Sequence, residues 1–164
     1  MQRREFTQAV LMAGTTTSGL LGATQAQAQA TFKEGSDYLK LSRPAPVDAP
    51  ADKVEVIEFF WYSCPHCNAF EPAFDAWAKR QPAHVVVKRA PVAFQDSFVP
   101  QQRLYYALEA LGKVEEMHRK VFHAIHTERQ RLATQDQIAD WVAKQGVDRA
   151  KFLEAYNAFG VAGK

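Results

Sequence analysis

Residues 64–67 read Cys64-Pro65-His66-Cys67 and hold both cysteines of the chain. Two thiols at that spacing can form and break a disulfide with each other, which is redox chemistry carried by the protein's own sulfurs. The run 54–62 before them is β-branched and aromatic and reads as a strand, nearly continuous in its apolar character and so expected to be buried on both faces. Ser63 breaks it, and Pro65 suits the first turn of a helix, where a missing N–H costs nothing. Cys64 then falls at or near the N-cap, with Cys67 one turn in and on the same face. The free N–H groups and positive dipole end of a helix start stabilise an anion, so Cys64 is expected to be an exposed thiolate of low pKa. His66 is placed to add charge or a donor, and Cys67 is the more shielded, resolving thiol. A stabilised thiolate favours the reduced form, which makes the disulfide form a strong oxidant.

Other readings of the motif stand beside this one. Zinc sites also use paired cysteines, but a structural zinc site needs two further ligands at matching spacing. The nearest histidines, His118, His123 and His126, lie far along the chain beyond a helical stretch. A purely structural bridge would close too small a loop to stabilise much through chain entropy. A second class of function, a non-catalytic module that holds polypeptide or metal without turnover, is compatible with the residues alone.

Glu58, followed by Phe59 and Phe60, then Cys64-Pro65-His66-Cys67, then Phe70-Glu71, resembles the DsbA family of periplasmic thiol:disulfide oxidoreductases. That family is itself a standing example of a depressed cysteine pKa and an oxidising couple. The resemblance implies an α/β, thioredoxin-like fold interrupted by an all-α helical insertion domain. It implies donation of disulfides to newly exported, reduced or unfolded proteins, with reoxidation by a membrane quinone-linked oxidase of the DsbB type. It further implies a monomer with no cofactor. It places the counterpart of Glu58 beneath the active site, tuning proton transfer and the buried cysteine. From the residues, an acid inside an apolar strand is costly unless paired or functional, and Lys88 is an alternative partner. Glu71 matches a second acid of the family, although on a helix it also reads as a solvated charge. Trp61 and Tyr62 read equally as groove lining for unfolded chains or as cover for the sheet, and His84, at the head of a strand, reads as structural.

Residues 1–30 read as an export signal: Arg3-Arg4, a mildly apolar core, and small-x-small cleavage sites at Ala26-Gln27-Ala28 and Ala28-Gln29-Ala30. The arginine pair fits either the general secretory or the twin-arginine route, and both lead to an oxidising compartment, the periplasm by the resemblance. The net charge is +2 with no basic block, which argues against nucleic acid.

Residues 31–95 are expected to form the first part of the thioredoxin-like domain. A short edge strand at 37–41 and a Pro/Ala-rich connector precede the strand at 54–61. A helix from Pro65 carries Phe70, Phe74 and Trp77 as one stripe against the sheet and is expected to kink at Pro72. A second strand at 84–89 completes a parallel crossover. Residues 96–160 are expected to be helical. Leu104, Ala107, Leu108 and Leu111 form one stripe, with Gly112 as a stop, and Val114, Met117, Val121 and Ile125 form the next. Thr134 opens a capping box before Ile138, Trp141 and Val142, Gly146 closes that helix, and Asp148 caps one carrying Phe152, Leu153 and Tyr156. The resemblance covers 31–160 and implies later strands, a final helix and a Val-Pro segment with a cis proline. The last proline here is Pro100, so 161–164 read as a truncated end of a sheet with open edges.

Overall fold

The structure, a computed structural model, describes residues 32–164. The expected export signal at 1–30 lies outside the described residues. The chain divides into two compact units, one ending at Ala45 and one running Pro46–Lys164.

Within the first unit, residues 37–41 do not form the expected edge strand. The segment turns on itself: Lys33 N–H donates to the Asp37 carboxylate at 2.7 Å, and Glu34 and Tyr38 make only an isolated bridge. Local hydrogen bonds around Gly35 take up the main-chain groups that a ladder would need.

The second unit opens with strand β1 (Val54–Phe60), helix α1 (Pro65–Ala78) and strand β2 (Val85–Pro91). The strands pair in parallel, Val54 opposite Val85, Glu58 opposite Arg89 and Phe60 opposite Pro91. This is the expected crossover, because a parallel return needs a connection long enough to hold a helix. Burial of β1 on both faces does not occur. Glu58 and Phe60 turn inward, whereas Phe59 is 68% exposed and Val54 and Ile57 also reach solvent. The pleat sends alternate side chains to opposite faces; on the face carrying Phe59, Glu55 is held by Lys88 while Ile57 and Phe59 stay accessible.

Helix α1 runs on through Pro72. Its buried positions are Glu71 and Phe74, while Phe70 is 53% exposed, so the expected stripe packs only in part. After a 3-10 turn at Asp96–Phe98 come α2 (Val99–Ala110), α3 (Val114–His126), α4 (Gln135–Lys144), α5 (Arg149–Asn157) and a four-residue α6 (Phe159–Ala162). The stripes read from the periodicity form the core: Leu104, Ala107, Leu108, Met117, Val121, Ile138, Val142 and Phe152 are fully buried. Gly112 and Gly146 adopt φ of 66° and 89°, the left-handed conformation that ends α2 and α4 without a Cβ clash. Thr134 Oγ1 accepts from Gln137 N–H, and Asp148 Oδ1 from Lys151 N–H, as the caps require.

The sheet meets the helices through an aromatic cluster. Phe60 contacts Tyr62, Tyr105 and His118 edge-on at ring-centroid distances of 5.0, 5.4 and 5.0 Å, with Phe122 at 6.0 Å. Replacing a capping Thr by Ala removes one satisfied N–H, so Thr134→Ala is expected to lower stability by about 1 kcal/mol in urea unfolding, with Thr134→Ser within a few tenths of wild type.

Candidate active site

Cys64 is the N-cap of α1, with extended backbone (φ −77°, ψ 118°), and Pro65 follows it in the first turn. The Cys67 N–H donates to Cys64 Sγ at 3.4 Å, while the Cys64 carbonyl accepts from Asn68 N–H at 3.0 Å and begins the helix ladder. Both cysteines are unbridged and partly accessible. The two sulfurs differ in acidity. Burial pushes the Cys64 thiol up, but hydrogen bonds from the Cys67 N–H, the Cys67 thiol and the His66 N–H outweigh it and hold it below the ordinary thiol range. Burial raises the Cys67 thiol, and the charges on Cys64 and Glu58 add to the rise against a hydrogen bond from the Trp61 main chain. His66 is exposed, and it reaches Cys64 through its main-chain N–H rather than its imidazole.

The residues before Cys64 are held by the helices. Tyr62 is buried; its hydroxyl lies 2.9 Å from His118 Nδ1, and its carbonyl lies 2.8 Å from His126 Nε2. Gln101 on α2 accepts from Ser63 N–H (3.2 Å) and Oγ (3.0 Å), and its amide nitrogen donates to the Leu132 carbonyl. Trp61 stacks on Phe98 with ring centroids 3.7 Å apart. Of the two readings of this pair, Tyr62 is therefore cover, buried in the core, and Trp61 is partly exposed beside the motif.

Beneath the motif lies a charged group whose members are far apart along the chain. Glu58 on β1 is 9% exposed and Glu71 on α1 is 2% exposed. Arg89 on β2 donates to both, through Nε to Glu58 at 3.2 Å and through Nη2 to Glu71 at 2.8 Å. The Arg89 guanidinium also lies over the Phe74 ring at 5.3 Å. Lys88, the alternative partner for Glu58, instead pairs with Glu55 at 2.6 Å. Burial, with the nearby Glu71 charge, raises the Glu58 carboxyl, and Arg89 opposes the rise. The reading of Glu71 as a solvated surface charge is overturned by its burial.

His118 is the residue that sequence reasoning placed away from the motif and the structure brings in. It is 4% exposed, and its Nε2 lies 3.4 Å from Glu71 Oε2. The available signal was its place beside Met117 and three residues before Val121, on the buried side of α3. Ligand atoms of Glu58, Glu71 and His118 lie within 4.8 Å of one another, a spacing a metal ion could use, but Arg89 already occupies both carboxylates.

A parallel βαβ unit with a paired-cysteine helix N-cap, joined to a helical block, defines a thioredoxin-like thiol:disulfide oxidoreductase. Residues 91–164 match the DSBA-like thioredoxin domain. The chain is 50% identical over 145 residues to the thiol:disulfide interchange protein DsbA of Burkholderia cepacia, covering 88% of this chain and 68% of that protein. It is 46% identical to the DsbA of Bordetella pertussis, covering 98% of this chain and 74% of that protein. The crystal structure of Pseudomonas aeruginosa DsbA superposes with a TM-score of 0.73 at 42% identity, over 80% of this chain and 68% of that one. The chain belongs to the DsbA family of thiol:disulfide interchange proteins and is a protein-disulfide oxidoreductase.

Removing Arg89 would strand two buried carboxylates, so Arg89→Met is expected to destabilise the fold by about 3–5 kcal/mol, read as a lowered urea midpoint. A thiol whose folded pKa is depressed contributes stability that is present above the unfolded thiol range and lost as pH falls through the folded value. The reduced protein is therefore expected to lose stability as pH falls below the ordinary thiol range, measured by urea unfolding, and Cys64→Ser to lack this component.

Proposed function

We propose that the protein donates disulfides to reduced, newly exported proteins in the periplasm, with Cys64 as the sulfur exchanged with substrate and Cys67 as the resolving thiol. In this reading residues 1–30 direct export, 31–95 carry the thioredoxin-like part and 96–160 the helical insertion. The observation that carries the proposal is the N-cap position of Cys64, with the Cys67 N–H on its sulfur.

A substrate thiolate attacks Cys64 Sγ of the oxidised pair. The Cys64–Cys67 bond breaks, its electrons leave on Cys67, and Cys67 takes up a proton as its raised affinity favours. A second substrate thiolate then attacks the substrate sulfur of the mixed disulfide and expels Cys64 as a thiolate, which the helix start stabilises. Pro65 keeps the first turn free of a competing donor requirement, the main chain of His66 supplies one of the N–H groups at Cys64, and Glu58 acts on Cys67 through its charge. Reoxidation passes the two electrons to a membrane quinone-linked oxidase of the DsbB type, and the protein works as a monomer.

Cys64→Ser is expected to abolish exchange with a reduced peptide dithiol, and the reduced Cys67→Ser variant, given a peptide disulfide, to accumulate the mixed disulfide at Cys64 with release of one peptide thiol, seen by mass spectrometry. Equal exchange in the Cys64→Ser variant would remove Cys64 from its role. When the reduced protein is treated with iodoacetamide at neutral pH, Cys64 is expected to be alkylated at least about tenfold faster than Cys67.

A further inference from the structure

We propose that Gln101 is a positioning residue of the exchange reaction: by clamping Ser63 it holds the Cys64 sulfur against the main-chain N–H groups of the α1 start, and so makes the Cys64/Cys67 disulfide more oxidising. The proposal rests on the assignment of Cys64 as the sulfur exchanged with substrate.

Gln101 is a polar residue in an apolar place. It lies one turn before Leu104 and Tyr105 on the buried face of α2 and is itself 6% exposed. An amide is costly to bury unless its hydrogen bonds are made, and here they are. Oε1 accepts from the Ser63 N–H at 3.2 Å and from the Ser63 hydroxyl at 3.0 Å. Nε2 donates to Ser63 Oγ at 2.7 Å and to the Leu132 carbonyl at 3.2 Å. The Ser63 N–H needs the oxygen and the Leu132 carbonyl needs the nitrogen, so one orientation of the amide satisfies both. An apolar side chain of the same size would fill this place without any of these bonds, and most of them end on Ser63.

Ser63 is the residue through which the clamp reaches the sulfur. The Cys64 N–H donates to the Trp61 carbonyl at 3.0 Å and closes a turn whose central residues are Tyr62 and Ser63. The closing bond of such a turn uses neither central N–H, and Gln101 takes up the one on Ser63. Tyr62 and Trp61 are held separately, by His118 and His126 and by Phe98. The peptide bond after Ser63 carries the Cys64 N–H, so fixing Ser63 fixes where the Cys64 Cα and its Sγ stand over the helix start. The contacts at stake are the Cys67 N–H on Sγ at 3.4 Å and the His66 N–H beside it. Both are directional and weaken as the sulfur moves off line.

The groups that act on the Cys64 sulfur are Cys67, through its N–H and its thiol, and the His66 N–H, all on α1. From β1, Glu58 acts on Cys67 and is bonded by Arg89 of β2. From α3, His118 and His126 bond Tyr62. Gln101 on α2 does not titrate, so a pH dependence that changes with residue 101 arises elsewhere, and the alkylation of Cys64 itself locates it at that sulfur.

Reduction of the bridge by two molecules of glutathione gives oxidised glutathione, the Cys67 thiol, the Cys64 thiolate and one proton released to solvent. Hydrogen bonds from the helix start are stronger to the thiolate than to a neutral sulfur. Losing the clamp therefore lowers the equilibrium constant for reduction where Cys64 is ionised, and leaves it nearly unchanged where Cys64 is protonated.

The test is a glutathione redox titration of the protein and of its Gln101→Met variant between about pH 4 and about pH 7.5, which spans the range of depressed thiol pKa values. The pH profile of Cys64 alkylation by iodoacetamide is measured alongside. The ratio of the wild-type to the variant equilibrium constant is expected to be close to unity at the acid end and to rise to about three- to tenfold at the neutral end, the worth of roughly one hydrogen bond. The midpoint of the alkylation profile is expected to move up in the variant. A midpoint that stays in place reduces Gln101 to a packing residue and overturns the proposal, whatever stability the variant loses. If Gln101→Met does not fold, Ser63→Ala decides the matter, because it keeps the bond to Leu132 and removes both contacts at Oγ. Its alkylation midpoint is expected to move in the same direction, and an unmoved midpoint overturns the proposal. Failure of the Cys64 assignment has a different signature: the wild-type protein would not equilibrate with glutathione, or Cys64→Ser would still exchange.

Discussion

Two carboxylates buried under one helix start constrain this structure more than any other feature. Taking Glu58 and Glu71 out of water is tolerable only with a cation held against both, and Arg89 is that cation. Its position follows from the parallel register, which sets Arg89 opposite Glu58, and from α1 lying close enough for Glu71 to reach the same guanidinium. Strand, helix and strand are thereby tied at one point. That point lies beneath the cysteines, where the Glu58 charge acts on Cys67.

A second set of contacts comes from the helical block. His118, His126 and Gln101 fix three consecutive features of the loop: the Tyr62 hydroxyl, the Tyr62 carbonyl and the Ser63 main chain and hydroxyl. A loop that enters a helix N-cap must present its last residue in extended conformation while the next ones turn. Side chains from α2 and α3 hold this loop in that shape. The helices thus belong to the active site even though neither sulfur lies on them.

The sequence made the local features plain and the tertiary ones obscure. Pro65 after Cys64, the periodic stripes from Leu104 to Tyr156, and the stops at Gly112 and Gly146 are all local, since each depends on spacing or on the conformational range of one residue. The two-faced burial expected for β1 failed because an apolar run records what a strand can tolerate, not what covers it; Phe59 and Ile57 are exposed as a result. Residues 37–41 failed as a strand because Asp37 captures a nearby N–H. Glu71 and His118 were misplaced for a common reason: a polar residue on a mostly apolar helix face is legible as buried only once its partner is known. Arg89 lies 31 positions from Glu58, and only the strand register brings them together.

The cap at Cys64 has a consequence for breadth of action. Under the proposed assignment, the groups that stabilise the departing thiolate are main-chain amides of the protein's own helix and the thiol of Cys67. None of them is contributed by the polypeptide being oxidised. The protein's own share of the driving force is consequently the same for a client of any sequence, and clients differ in the stability of the disulfide they form and in whether a pair of their thiols can approach an accessible sulfur. Such a catalyst brings the same stabilisation to every exchange, because the groups that supply it are built into its own helix start.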